Sequence, residues 1–174
     1  MFFCGTHLAQ TRFSRPGRLA RAVLILAATA LLSGCAIFSS APPDQGLGDS
    51  LGGRIAATAR SQIGARYRYG GDTPSQGFDC SGLVQWAFAQ NRVRVPRTVD
   101  EQASAGSFVR PSDIAPGDMV FFNTSFKRPS LHVGIATARG LFVHSPSSGG
   151  KVREDRLSDP YWTSVYVATR RVVP

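Results

Sequence analysis

Three residues of this chain have types and an order suited to nucleophilic catalysis: Cys80 in "GFDCSGLVQWAF", and His132 and His144 in "LHVGIATARGLFVHS". A thiol attacks a carbonyl as its thiolate, so it needs a base within hydrogen-bond reach and a third group to orient that base. Asp79 is a plausible N-cap, which puts Cys80 in the first turn of the helix that follows. There, backbone N–H groups and the helix dipole favour the thiolate. The plainer alternative is a buried cysteine acting as a small hydrophobe. The polar neighbours Asp79, Ser81 and Gly82 argue for an accessible helix start instead.

The histidines sit on two apolar runs joined near Ala138 to Gly140, which predicts a β-hairpin with Gly140 in the left-handed position. If the turn centres on Ala138, His132 lies directly across from His144 on one sheet face. A slip of one residue would separate the faces. Cys80, His132 and His144 could also hold a metal with an open fourth position, but no C-x-x-C or H-E-x-x-H spacing accompanies them, so no metal or other cofactor is expected.

Cysteine usage points to a reactive thiol or an intermolecular bridge at Cys80. Residues 1–34 read as a secretory signal: Arg12, Arg15, Arg18 and Arg21, then an apolar stretch from Ala22 to Leu32 that is short for a membrane span. The signal ends in "LLSGC", which resembles the bacterial lipobox and implies a lipid on Cys35. Cys4 leaves with the signal and Cys35 is acylated, so Cys80 has no intramolecular thiol partner in an oxidising compartment. Ala36 follows the anchor, which by resemblance to Gram-negative lipoproteins favours the outer membrane, facing the periplasm. The formal charge of +9 loses four arginines and no acid with the signal, leaving +5. The remaining basic residues are scattered, without a run or an aromatic ladder, so nucleic acid is not an expected partner and an anionic wall polymer or lipid surface suits better.

These residues must be positioned by one domain, since 174 residues are too few for two ordinary cores. Residues 35–53, the lipidated cysteine and a Gly-, Pro- and Ser-rich stretch, read as a flexible tether. Residues 54–174 read as the catalytic domain. Helices are predicted from Arg54 to Ile63 with a stop at Gly64, from Cys80 to about Asn91 with the apolar stripe Leu83, Val84, Ala87 and Phe88, and from Val99 to about Ala105 behind a Thr98/Glu101 capping box. The segment "ARYRYGGDTPSQG" reads as a loop. Strands are predicted over Asp118 to Phe122, Leu131 to Ala136, Leu141 to His144 and Val165 to Val172. Helices first and antiparallel strands later give an α+β class, not a doubly wound sheet.

Together, "GARYRYGG", "GFDCSGLVQWAF", "PRTVDEQ", "PGDMVFF", "HVGIA" and "FVHSPSSGG" resemble the NlpC/P60 family of papain-like cell-wall cysteine peptidases, over Ile55 to Val172. The closing "PYW" and "RRV" look like its lipoprotein murein endopeptidases. The resemblance implies a papain-like fold in which N-terminal helices pack on an antiparallel sheet. It implies Cys80 as nucleophile, His132 as general base and His144 as the polar residue that orients it. Tyr67, Asp79 and Ser81 are implied at the oxyanion or substrate-binding positions. The loop before Cys80 is one residue longer than in the lipoprotein members, which leaves Tyr69 as an alternative to Tyr67. The implied reaction is hydrolysis of an amide bond in peptidoglycan stem peptides, between D-glutamate and a diamino acid, through an acyl-enzyme. The alternatives are a wall-binding scaffold lipoprotein that does no chemistry, and a thiol acyltransferase or amidase on another substrate.

Overall fold

The computed structural model describes residues 50–125, 130–138 and 140–174. The signal segment, Cys35 and the tether up to residue 49 lie outside the described residues.

The first helix, α1 (Leu51–Arg60), begins three residues before the expected Arg54. The cause is local: the Ser50 side chain accepts a hydrogen bond from Gly53 N at 3.0 Å and caps the helix, so Leu51 to Gly53 belong to the domain and not to the tether. The helix ends at Arg60, and hydrogen-bonded turns carry the chain to Gly64, whose φ of 93° suits a residue without Cβ. The stretch read as a loop contains a minimal hairpin, β1 (Asp72–Thr73) and β2 (Gly77–Phe78). It leads into α2 (Cys80–Gln90), whose predicted stripe Leu83, Val84, Ala87 and Phe88 is fully buried. The capping box forms as expected at α3 (Val99–Ala103), with Thr98 and Glu101 satisfying each other's backbone N–H groups.

Among the described residues, six strands form one antiparallel sheet: β3 (Ser107–Phe108), β4 (Met119–Asn123), β5 (Leu131–Ala138), β6 (Leu141–His144), β7 (Arg153–Arg156) and β8 (Tyr166–Arg171), in the order β3-β8-β4-β5-β6-β7. The start of the last expected strand is instead the end of a short helix, α4 (Pro160–Val165), opened by Asp159 as N-cap. Strands β3 and β7 were not legible, because β3 is only two residues long and β7 is short and polar in sequence.

Strand alternation decides which residues meet which layer. Met119, Phe121, Val133, Ile135 and Val143 face α1 and α2 and form the larger core with Ile55, Ala59, Leu83 and Phe88. Val120, Phe122, Ala136 and Phe142 face the other way and pack on Trp162 and Val165 of α4. At 25 cal/mol per Å², each fully buried Phe or Leu contributes about 2 kcal/mol, so a sheet covered on both faces is a rigid frame for what it carries.

The register of the β5–β6 hairpin differs from the expectation. Gly134, not His132, lies across from His144, and a bulge falls between Ala136 and Ala138. Gly140 has the expected positive φ, at 76°. Ala138 pairs with Leu141, so the turn lies further along the chain than expected; with the one-residue bulge the net displacement is two residues, which preserves the face, so the histidines become diagonal neighbours.

Candidate active site

Asp79 builds the start of α2. Its Oδ1 accepts from Gly82 N at 2.7 Å and from the Ser81 hydroxyl at 3.2 Å, and its Oδ2 accepts from Gly70 N at 2.9 Å. Arg97, which precedes α3, holds the same carboxylate with both ends of its guanidinium and also donates to Ser81 Oγ at 2.9 Å. Burial alone would raise the Asp79 pKa, but the Arg97 and Gly82 hydrogen bonds outweigh it and hold the carboxyl below its ordinary range.

Cys80, half-buried in the first turn, behaves differently from the sequence expectation. Burial pushes its thiol up and the neighbouring Asp79 charge adds to this, while backbone N–H groups of Val133, Ser81 and Cys80 itself oppose it only in part. The helix start does not leave a free thiolate because its positive end is already answered by the Asp79 carboxylate. The balance of these effects raises the thiol pKa above its ordinary value.

The sheet carries the two imidazoles. His132 Nε2 lies 2.8 Å from His144 Nδ1, and His144 Nε2 lies 2.9 Å from Asp155 Oδ2. His144 pairs with Arg153 in the β6–β7 register, and Asp155 sits two residues further along β7. The three side chains therefore run diagonally over three adjacent strands on one face. Gly134 makes the diagonal possible: a Cβ there would lie 2.7 Å from Phe142 and 3.2 Å from the His144 Cβ. Trp162 covers the row, stacked on His132 with ring centroids 6.0 Å apart and edge-on to His144 at 4.9 Å. Its Nε1 donates to Asp155 Oδ2 at 3.1 Å, and Arg153 Nε donates to the same oxygen at 3.0 Å.

Burial dominates the titration of both histidines. It pushes His132 down to about 3, helped by His144 and Arg153, and pushes His144 down to about 4 against the pull of Asp155. Both rings are neutral near pH 7, so His132 can accept a proton. Asp155 is itself below its ordinary range, because its bonds to His144 and Arg153 outweigh the effect of burial.

Cys80 and His132 line one cleft of about 550 Å³, together with Tyr67, Tyr69, Asp79, Ser81 and Arg97. Asp79 and Ser81 are in this wall, but their polar side-chain atoms are engaged with Arg97 and the helix start. Tyr67 is partly buried, and its hydroxyl pKa is raised by burial and then by the nearby Cys80. Tyr69 is 90% exposed. Both tyrosines line the cleft, and Tyr67 is the more buried of the two. Among the described residues no cluster of three His, Cys, Asp or Glu is arranged to hold a metal ion.

Asp155, Trp162 and Arg97 were missed from sequence. A hairpin reading through "SPSSGGKVREDR", with Gly150 in its left-handed conformation at φ 66°, would have put Asp155 on the face of His144.

Residues 64–171 match the model of the NlpC/P60 family. The chain is 36% identical over 157 residues to the probable endopeptidase NlpC of Escherichia coli K12, covering 87% of this chain and 99% of that protein. It is 40% identical over 115 residues to the murein DD-endopeptidase MepH of the same organism, covering 64% of this chain and 42% of MepH. The chain spans less than half the length of the first curated relatives it matches. The solved structure of NlpC2 from Trichomonas vaginalis aligns with a TM-score of 0.67 at 33% identity, over 73% of this chain and 49% of that one. The α+β, papain-like fold expected from the sequence is therefore the fold observed, and the chain belongs to the NlpC/P60 family.

Proposed function

We propose that this protein is a cysteine endopeptidase of peptidoglycan that cuts a stem-peptide amide bond, between D-glutamate and the diamino acid, through an acyl-enzyme. The observation that carries the reading is the shared cleft of Cys80 and His132, with His132 bonded to His144 behind it. Kinship with NlpC and MepH, whose names state endopeptidase activity, supports the same class of reaction.

In this mechanism neutral His132 takes the Cys80 proton as the sulfur attacks the carbonyl carbon, and the C–S bond forms as the carbonyl becomes an oxyanion. Backbone N–H groups at the start of α2, with the Tyr67 hydroxyl beside them, stabilise that oxyanion; one such donor is typically worth about 3 kcal/mol. The oxyanion then collapses, the C–N bond breaks, and His132 returns its proton to the leaving amine. Water, deprotonated by His132, releases the acyl group and regenerates the thiol. His144 keeps the His132 ring in place throughout.

The lipobox at Cys35 and the tether that follows suit a protein anchored in the outer membrane and reaching the wall from the periplasmic side. Cys35→Ser should then release the protein from the membrane fraction.

The deciding experiment is mass spectrometry of muropeptides released from purified sacculi by the full-length protein and by Cys80→Ala. Thiol-dependent fragments ending at D-glutamate support the proposal. Release that persists in Cys80→Ala, or none from folded wild type, overturns it.

A further inference from the structure

The hydrogen-bond row behind the cleft has a direction, and one group can impose it. An ionised carboxylate only accepts. Since Asp155 Oδ2 lies 2.9 Å from His144 Nε2, that nitrogen carries the proton, and neutral His144 has a lone pair on Nδ1. That lone pair faces His132 Nε2 at 2.8 Å, so His132 Nε2 donates. His132 Nδ1 is then unprotonated. With Nε2 taken up by His144, Nδ1 is the ring nitrogen left for Cys80 across the cleft. The opposite arrangement would aim an unprotonated His144 Nε2 at a carboxylate.

We infer that Asp155 is a positioning residue that fixes the tautomers of both histidines, so that His132 presents its basic Nδ1 to Cys80, and that its charge offsets the one His132 acquires with the thiol proton. The transfer balances: the S–H bond breaks, the Nδ1–H bond forms, and the Nε2 proton stays between the rings. The carboxylate is held for this task. Trp162 Nε1 and Arg153 Nε converge on the same oxygen as His144, which keeps Oδ2 aimed at the ring. Asp155, Arg153 and the two imidazoles are the titratable groups of this row, with Cys80 and Tyr67 across the cleft.

The inference extends the proposed cysteine chemistry, but it can be tested without a peptidoglycan substrate. Histidine 15N chemical shifts of the full-length protein report the tautomers, and the rate of Cys80 alkylation by iodoacetamide across pH reports the base. Both rings are expected as Nε2–H tautomers in the wild type. Asp155→Asn keeps an acceptor oxygen without the charge, and should keep the tautomers while slowing alkylation. Asp155→Ala removes both, and should lose the fixed tautomer and slow alkylation about a hundredfold, the usual worth of a placed base. A proton on His132 Nδ1 in the wild type overturns the inference. So does a folded Asp155→Ala that alkylates at the wild-type rate over the same pH range. Failure of the sacculus assay with these results intact would fault the substrate and not the role of Asp155.

Discussion

Arg97 and Asp79 form a two-pronged ion pair one residue before the thiol, with Nη1 to Oδ1 at 3.0 Å and Nη2 to Oδ2 at 2.7 Å. The pair is mostly shielded, with the Asp79 side chain 14% exposed and that of Arg97 33%. The same carboxylate caps α2 and holds the loop at Gly70, so the pair fixes the height of Cys80 in the cleft. Arg97→Ala leaves a half-buried carboxylate with its cation gone, and should cost about 2 kcal/mol, seen as a lower urea midpoint. Arg97→Lys should recover only part of this, because an ammonium cannot match both oxygens.

Acid should unfold the protein early. The histidines have native pKa values of about 3 and about 4, below the 6.5 of an exposed imidazole. Between pH 6.5 and 4 the unfolded chain takes up protons that the native state refuses, so stability is complete above pH 6.5 and falls as pH drops through that window. Asp79 and Asp155, both lowered in the native state, add a loss of the same sign below about pH 4. His144 alone should account for about 3 kcal/mol at pH 4, or a fall of about 10 °C in melting temperature. Melting curves at pH 7, 5.5 and 4.5 check this, and a His144→Gln variant should show a flatter profile.

What could be read in the sequence was whatever local spacing encodes. The stripe of α2 repeats at helical period, and the Thr98/Glu101 box spans one turn, so both stood out without tertiary context. The facing of His132 and His144 also survived, since a two-residue shift keeps a side chain on its face. The shift itself was hidden, because neither the later turn, with Ala138 paired to Leu141, nor the bulge between Ala136 and Ala138 has a compositional mark in "GIATARG". Asp155 was hidden for a different reason. Strand β7, "REDR", is polar throughout and pairs only at the edge of the sheet, so period-2 hydrophobicity is absent. Arg97 was legible as a cation but not as the partner of a residue eighteen positions earlier.

Gly82 is the contact point between α2 and the wall that carries Tyr67. A Cβ at this position would fall 2.1 Å from the carbonyl oxygen of Gly71, a backbone atom that cannot swing aside. Gly82→Ala should therefore push the β1 loop off the helix start, despite alanine's better helix propensity. Overpacking of this kind costs roughly 1–3 kcal/mol. The expected result is a lower melting temperature together with weakened alkylation of Cys80. An unchanged melting temperature would mean that the loop yields freely.

Trp162 separates packing from polarity on the histidine face. Its ring meets Phe122 at 4.8 Å, Phe142 at 5.1 Å and His144 at 4.9 Å, while its Nε1 donates to Asp155. Trp162→Phe keeps most of the aromatic contact and removes the donor, so it should cost about 1 kcal/mol. Asp155 would keep its bonds to His144 and Arg153, and thiol alkylation should slow only slightly. Trp162→Ala also removes the cover over both rings, at roughly 3–5 kcal/mol. Water would then reach His132 and His144, weaken the desolvation that keeps them neutral, and raise their pKa values. The acid limb of the alkylation profile should move to higher pH in Trp162→Ala and stay in place in Trp162→Phe. Equal profiles in the two variants would show that the burial of the pair is maintained from elsewhere, by Phe142 and Phe122 beneath it.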